Sequence, residues 1–189
     1  MTALLTTPPA QEPVTLDEAR AHLRVTASDE DTLIARLVAT ARAHVERATG
    51  RALLTQGWRL YLDAWPPGRI VRLPVAPVQS VDALTVYDGD GVPETFTASA
   101  MTLDGAGTPP RLKVALGAMA PGQGLNGIEI DFTAGYGANA TDVPAPLIQA
   151  ILMLVAHWFD HRDLGAEMAT TQVPGGLEAL IAPYRSLRL

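Results

Sequence analysis

The chain of 189 residues contains no cysteine, so disulfides, thiolate metal sites and cysteine nucleophiles are excluded. It has a single lysine, Lys113, no block rich in lysine and arginine, and a net charge of −6. Proteins that hold nucleic-acid phosphates tightly usually carry a basic patch. Tight, sequence-independent nucleic-acid binding by one copy is therefore not expected. An acidic surface can still face DNA that slides past it, because like charges repel.

Long apolar runs are also missing. The longest, LIQAILMLVAHWF, has 13 residues, whereas a membrane-spanning helix needs about 20. The N-terminus has neither the basic start nor the apolar core of a signal peptide. We therefore expect a soluble protein that is made in the cytoplasm and has no membrane partner. With 48% hydrophobic residues, the chain can form one medium-sized domain or one domain with an insert.

The first third of the sequence predicts an arm followed by two helices. Residues 1–13 contain three prolines and no periodicity, which is typical of an extended, mobile arm. Thr15 and Glu18 have the spacing of a capping box at a helix start. In the stretch that ends at Gly50, apolar residues recur with the helical period of 3.6, and glycine is a common helix end. Residues 14–52 are therefore predicted to be helical.

Strand-like patterns replace the helical period in the middle of the chain. WRLYLDAW and GIEIDFTAGYG alternate apolar and polar residues, and DGDG at 88–91 is typical of a tight turn between strands. ETFTASAMTLD is a second hairpin-like stretch. These patterns predict a small antiparallel β-domain at residues 53–141, inserted between helices.

The last third of the sequence is again helical. Asp142 is predicted to cap this helix, Pro144 suits its first turn, and most positions up to Phe159 are apolar. A helix that is apolar on nearly every side is buried on several sides, by its own domain or by a neighbouring subunit. We predict a helical segment at 142–164, followed by a linker and an extended C-terminal tail at 165–189. The predicted fold class is α+β: a helical bundle of two N-terminal helices and one long C-terminal helix, with the β-domain inserted.

The stretch HWFDHRD places His157 and His161 four residues apart, on one face of the last helix. Zinc hydrolases use such a pair within HExxH, where the glutamate is the general base, but here that position is Trp158. No third ligand is evident, because Asp160 points off the shared face and Asp163 is only two residues past His161. The alternative is a buried helix that becomes polar as it leaves the core. If the two histidines do bind a metal, the protein would be a metal-dependent hydrolase, and this function is kept as an alternative.

Other motifs of catalysis or cofactor binding are incomplete. TAGYGANATDVP lacks the third glycine or the Lys-Ser/Thr pair that phosphate-binding loops need. DGDGVPE lacks the terminal glutamate of a calcium loop, and no G-x-S-x-G occurs. We therefore expect no enzyme activity, no catalytic residues, no metal and no cofactor.

The order of the segments resembles that of one protein family. The segments are VTLDEARAHLRV, DEDTLIARLVATARAHVERATGRALLTQGWRLYLDAWP, VRLPVAPVQSV, IDFTAGYGANATDVPAPLIQAILMLVAHWFDHRD and GGLEALIAPYRSLRL. In this order they are similar to the head–tail connector (adaptor) proteins of long-tailed phages and gene transfer agents. The resemblance covers nearly the whole chain from Val14 onward.

This resemblance implies a structural role at the head–tail junction of a virion. Members of the family form a ring, typically of twelve copies, beneath the capsid portal. They join the portal to tail-side stopper or terminator proteins and line part of the channel, through which DNA passes without specific binding. The fold is a helical bundle, with a β-rich insert in the longer members, and the family has no catalytic residues.

The resemblance also implies two interaction sites. The C-terminal segment of the family is expected to reach into the portal, and here this segment is 175–189. The alternative is a tail that folds back on its own domain. The predicted portal-binding residues are Leu177, Leu180, Ile181, Tyr184, Arg185, Arg188 and Leu189. The apolar last helix is predicted to form the subunit interface, through Ile151, Val155, Trp158 and Phe159.

Overall fold

The structure, a computed structural model, describes residues 1–96, 100–115, 117, 119–161 and 175–185. Within these residues the chain contains helices and antiparallel sheets, which confirms the predicted α+β class. The chain forms two compact units. The β unit consists of Met1–Pro9 and Thr55–Tyr136, and the helical unit of the described residues of Ala10–Leu54 and Gly137–Arg185.

The secondary structure of the described residues follows the chain in this order. The helices are α1 (Leu16–Leu23), α2 (Asp31–Thr49), α3 (Ala145–Asp160) and α4 (Gly175–Ile181). The strands are β1 (Thr2–Thr7), β2 (Gln56–Leu62), β3 (Ile70–Arg72), β4 (Val78–Tyr87), β5 (Pro93–Phe96), β6 (Met101–Asp104), β7 (Arg111–Val114) and β8 (Ile128–Ala134).

The first two helices begin and end as the sequence predicts. The backbone N–H of Glu18 donates to Thr15 Oγ1 at 3.2 Å, and the N–H of Thr15 donates to the Glu18 carboxylate at 2.8 Å, so the capping box starts α1. α2 ends at Gly50, whose φ of +70° lies in the left-handed region that glycine tolerates. One apolar face of α2 is buried, and α2 packs against α1 and α3. The buried apolar residues of this face are Ile34, Val38, Ala41 and Val45.

The start of α3 differs from the prediction, because Asp142 does not cap it. Asp142 ends a short 3-10 turn, Ala140–Asp142, and its carboxylate accepts a hydrogen bond from the N–H of Asn139 at 2.9 Å. The carboxylate is therefore engaged by the preceding turn, and α3 begins after Pro144 without a side-chain cap. α3 has 16 residues. No helix in the described part of the chain has the length and apolarity needed to cross a membrane.

α4 packs against α3 and α2 in the helical unit. Leu177 and Ile181 are buried there, and Arg51 Nε donates to the Tyr184 carbonyl at 2.6 Å. Residues 175–185 are thus folded into the helical unit, which differs from the extended tail predicted for 165–189. The rest of that range lies outside the described residues.

The β unit contains two antiparallel sheets within the described residues. The five-stranded sheet has the order β1-β2-β8-β4-β5, and the three-stranded sheet has the order β3-β7-β6. Strand alternation gives each sheet one apolar face. In the larger sheet Leu60 lies opposite Ile130, and in the smaller sheet Val71 lies opposite Leu112, all of them buried. These faces hold the core of the β unit.

The N-terminal segment predicted as an arm at 1–13 contains a paired strand. β1 runs antiparallel to β2, with Leu4 opposite Arg59. Further along, Arg42 Nε donates to the Glu12 carboxylate at 2.7 Å. The sequence did not predict this strand, because TALLTT has no alternation and its pairing depends on β2.

The two hairpin signals have different outcomes. The turn at 88–91 connects the paired strands β4 and β5, as predicted. ETFTASAMTLD, in contrast, is not one hairpin: β5 pairs with β4 in the larger sheet, and β6 pairs with β7 in the smaller one. Its two halves share a strand pattern but have different partners.

Candidate interaction surfaces

The predicted portal-binding residues do not form one exposed patch. Leu177 and Ile181 are 0% and 1% exposed, so within this structure they are core residues of the helical unit. Leu180 and Tyr184 are half-buried. Arg185 is exposed, and its guanidinium forms an ion pair with Glu178 at 2.9 Å. Arg188 and Leu189 lie outside the described residues.

The predicted subunit interface on α3 is also largely covered by its own unit. Ile151 and Val155 are both 0% exposed, which shows that they belong to the core of one chain. Trp158 and Phe159 are half-buried, and the Trp158 ring meets His44 edge-on, with centroids 6.0 Å apart. At Ile151 and Val155 other helices of the unit cover the apolar face of α3, and the half-buried Trp158 and Phe159 remain interface candidates.

The histidine pair of α3 has a local structural role. The His157 and His161 rings lie 4.5 Å apart between centroids. His161 Nδ1 is 2.7 Å from the His157 carbonyl oxygen, which also accepts the backbone N–H of His161 at 3.2 Å. Within the described residues no three His, Asp or Glu side chains are grouped closely enough to hold a metal. The described contacts of the two histidines are thus with each other and with the end of α3.

Arg42 joins three segments of the helical unit. Its guanidinium donates to Glu12 and to Glu46, each at 2.7 Å, and Glu46 also accepts the backbone N–H of Leu53 at 3.0 Å. Burial of Arg42 disfavours its charge, but the two carboxylates outweigh that effect and raise its pKa. The hydrogen bonds of this cluster lie within the helical unit, and they connect α2 to the segment before α1 and to the segment after α2.

A comparable cluster lies on the polar face of the five-stranded sheet. Arg59 binds Asp131 through two hydrogen bonds, 2.6 Å from Nε to Oδ1 and 2.8 Å from Nη2 to Oδ2, and lies 3.4 Å from Glu129. The hydrogen bonds that Arg59 makes with Asp131 and Tyr61 raise its pKa. Arg59 lies opposite Asp131 in the register of β2 and β8, so this is a cross-strand pair that stabilises the sheet.

A groove of about 280 Å³ lies beside this cluster, lined by Asp82, Asp131 and Thr133 among others. Both carboxylates are already engaged. Asp82 accepts hydrogen bonds from Ser80 at 2.6 Å and from Thr133 at 2.8 Å, and Asp131 accepts those of Arg59. The groove is therefore part of the sheet's own hydrogen-bond network.

The exposed apolar surface lies in the β unit. Six large hydrophobic side chains of the described residues are exposed, and all six belong to that unit. They are Met1 (70%), Leu4 (51%), Leu5 (45%), Ile70 (42%), Val92 (57%) and Leu125 (72%). None of these six side chains was predicted from the sequence as an interaction residue. Val92 directly follows the predicted DGDG turn, and an apolar residue at such an exposed turn was the signal that could have identified it.

The outer face of the three-stranded sheet is basic. Ile70 lies opposite Lys113 and Arg72 opposite Arg111, and all four are exposed. Asp104 accepts two hydrogen bonds from Arg111, at 3.0 Å and 2.6 Å, and these bonds lower the Asp104 pKa. Positive charge is therefore concentrated on this face in a chain whose net charge is −6.

A groove of about 610 Å³ adjoins the basic face. Met1, Leu62 and Ile70 supply apolar walls, and Arg72 and Arg111 line it as well. The groove places the start of β1 beside the outer face of β3 and β7. Apolar contact area and positive charge thus occur together on this side of the β unit.

Comparisons with known proteins identify the family. Residues 13–97 match the family described as phage gp6-like head-tail connector protein. A comparison with curated protein sequences gives no match. Among solved structures, a chain from the neck of an empty gene transfer agent (GTA) particle, computed with C6 symmetry, is 35% identical with a TM-score of 0.83. The similarity covers 100% of this chain and 97% of that one.

Two further structures give similar values. A chain from the virion of a native GTA particle is 34% identical with a TM-score of 0.82. A chain from the neck of a native GTA particle, computed with C12 symmetry, is 35% identical with a TM-score of 0.79. Each match covers 100% of this chain and 97% of the other. The chain therefore belongs to the head–tail connector family of phages and gene transfer agents.

Proposed function

We propose that this chain is the subunit of a ring of twelve copies that lies beneath the capsid portal at the head–tail junction of a virion. The ring joins the portal to tail-side stopper or terminator proteins and lines part of the DNA channel. The observation that carries this proposal is the similarity along the whole chain to a chain from the neck of a native GTA particle, a neck that was computed with C12 symmetry. Cyclic symmetry repeats one subunit by rotation, so that similarity supports twelve copies. The role is structural and uses no cofactor.

The two parts of the chain are proposed to have different tasks in the ring. The segments 14–52 and 142–164 serve as the connector bundle, and the β-rich insert at 53–141 supplies additional contacts. A net charge of −6 on each copy, repeated around the ring, disfavours tight adhesion of DNA phosphates. This balance suits a channel through which DNA has to move.

Portal docking is proposed to use the C-terminal segment. Leu177 and Ile181 hold α4 in the helical unit, so the contacts with the portal fall to the other predicted residues. These are Leu180, Tyr184, Arg185, Arg188 and Leu189. Tyrosine and arginine are common in binding hot spots. The ion pair of Arg185 with Glu178 is largely exposed, and such pairs contribute little stability, so Arg185 can exchange it for a portal carboxylate.

Removing residues 186–189 tests this docking without touching α4. We expect the shortened chain to keep the unfolding temperature of the full chain and to bind purified portal at least about tenfold more weakly. Leu177→Ala is the control, because it should lower the unfolding temperature through a lost core contact. Undiminished portal binding by the shortened chain would show that the C-terminus is not the anchor. The connector role itself fails if electron microscopy finds no ring of the full chain on the portal.

A further inference from the structure

A closed ring of identical subunits needs two unlike surfaces on each subunit, because every contact joins one face of a copy to a different face of its neighbour. The following inference rests on the proposed ring function. The face of α3 predicted for this contact is buried in its own unit at Ile151 and Val155. The two surfaces therefore have to be sought where apolar side chains are exposed, which is the β unit.

The first of these, here named the basic surface, consists of Met1, Ile70, Arg72, Arg111 and Lys113. Arg72 lies directly opposite Arg111 on neighbouring strands, an arrangement of like charges that destabilises a sheet. Asp104 binds Arg111, whereas Arg72 and Lys113 form no ion pair within the described residues. The positively charged side chains of Arg72 and Lys113 thus lie beside the exposed side chains of Met1 and Ile70.

The second, here named the acidic surface, consists of Asp90, Val92 and Glu94 at the turn between β4 and β5. The turn is well fixed, because Asp88 Oδ1 accepts the backbone N–H groups of Asp90 at 2.9 Å and Val92 at 2.8 Å. The carboxylates of Asp90 and Glu94 are exposed and form no ion pair within the described part of the chain. They flank Val92, which is 57% exposed.

The two surfaces lie on different sides of the β unit. Met1 precedes β1, and Glu94 lies in β5, and these strands are the opposite edges of the five-stranded sheet. Four strand spacings of about 4.8 Å separate the edges, roughly 19 Å in all. One copy can therefore use both surfaces at the same time. Pro93 and Glu94 protect the β5 edge against strand pairing, so the contact would be made by side chains.

We propose that the basic surface of one copy binds the acidic surface of the next copy around the ring. The basic surface exposes the apolar side chains of Met1 and Ile70, and the acidic surface exposes that of Val92. Each surface also has two charged side chains without an ion-pair partner in the described residues. The charges are opposite in sign and equal in number. DNA phosphates would match only the basic surface and would repel the acidic one, whereas a neighbouring copy matches both.

Reversal of charge tests this contact in particles whose only connector is the variant chain. Arg72→Glu with Lys113→Glu, or Asp90→Lys with Glu94→Lys, places like charges at every contact, which disfavours association. Either pair should reduce complete necks, counted by electron microscopy, at least about tenfold. All four changes in one chain make every contact complementary again and should restore the necks.

The control is Asp29→Lys with Arg36→Glu, which reverses two charges at exposed positions of the helical unit. This variant should assemble normally.

The outcomes separate this contact from other uses of the same residues. Normal assembly of either charge-reversed pair would overturn the proposal. A chain with all four changes that keeps the wild-type unfolding temperature and still lacks necks would also overturn it, and would assign the surfaces to DNA or to a tail-side protein.

Cross-linking gives an independent measurement, because the chain has no cysteine of its own. A variant with both Ile70→Cys and Val92→Cys should give a ladder of linked copies in assembled necks after treatment with a short bismaleimide. Each single variant should give none. Rings that assemble but show no ladder refute the proposed contact and leave the connector function standing. If purified necks do not contain the wild-type chain at all, the connector function is refuted instead.

Discussion

The helical unit and the β unit differ in what they leave exposed. Within the described residues, the helical unit exposes no large hydrophobic side chain, whereas the β unit exposes six. α3 is the most apolar helix of the chain, yet Ile151, Leu154 and Val155 are completely buried. The helical unit thus covers its own large apolar side chains, whereas the β unit leaves apolar surface exposed. High apolar content and availability for binding are therefore separate properties in this protein.

The largest expected effect of a single substitution comes from the buried face of α3. Ile151→Ala should lower the free energy of unfolding by about 2–5 kcal/mol, because it leaves a cavity in a core. Leu4→Ala, on the exposed edge strand, should change that energy by no more than about 0.5 kcal/mol. Chemical denaturation of the two variants measures both values. An Ile151→Ala chain as stable as the wild type would return this residue to the list of interface candidates.

A smaller effect is expected from the arginine cluster of each unit. The side chain of Arg42 is 15% exposed and binds two carboxylates, whereas that of Arg59 is 36% exposed. Arg42→Met should therefore lower the free energy of unfolding by about 1.5–3 kcal/mol, and Arg59→Met should lower it by about 0.2–1 kcal/mol. High salt should reduce the effect of Arg59→Met more than that of Arg42→Met, because salt screens exposed charges more strongly. Equal costs, or equal sensitivity to salt, would contradict the difference in burial.

Much of the local structure was predictable from the sequence, because its causes are local. The capping box of Thr15 and Glu18 and the glycine after α2 involve neighbouring residues only, and both are confirmed. The alternation in β2 and β8 also predicted strands correctly. Asp142 shows the limit of such patterns, because Asn139 and α3 compete for the same carboxylate and a linear pattern does not show which of them binds it.

The candidate sites were less predictable, because they depend on distant residues. The apolar pattern of α3 predicts burial on several sides but not which segment covers it, and in the structure α2 and α4 do so. Leu177 is likewise core only because α4 folds onto α3. The basic surface joins Arg72 to Arg111 and Lys113, which the register of β3 and β7 brings together. Spacing along the chain contains no trace of that pairing.

The smallest predicted effect is a pH dependence within the helical unit. Burial lowers the pKa of His44, and Arg47 lowers it further, while Glu178 partly opposes them. The folded state therefore binds a proton less readily than the unfolded state, whose histidine titrates near about 6.5. As the pH falls through that value, protonation favours the unfolded state and the helical unit loses stability. Unfolding temperatures at a series of pH values between neutral and mildly acidic measure this loss.

His44→Gln isolates the contribution of this one histidine, because the other histidines are the same in both chains. The wild type should lose more stability than the variant as the pH falls, and the difference between the two curves should flatten once His44 is protonated in both states. Glu178→Gln should enlarge the loss, since it removes the carboxylate that raises the His44 pKa. Parallel curves for the wild type and His44→Gln would mean that burial next to Trp158 does not affect the charge of His44. The β unit has no histidine, so this pH response would belong to the helical unit alone and would add a second difference between the two units.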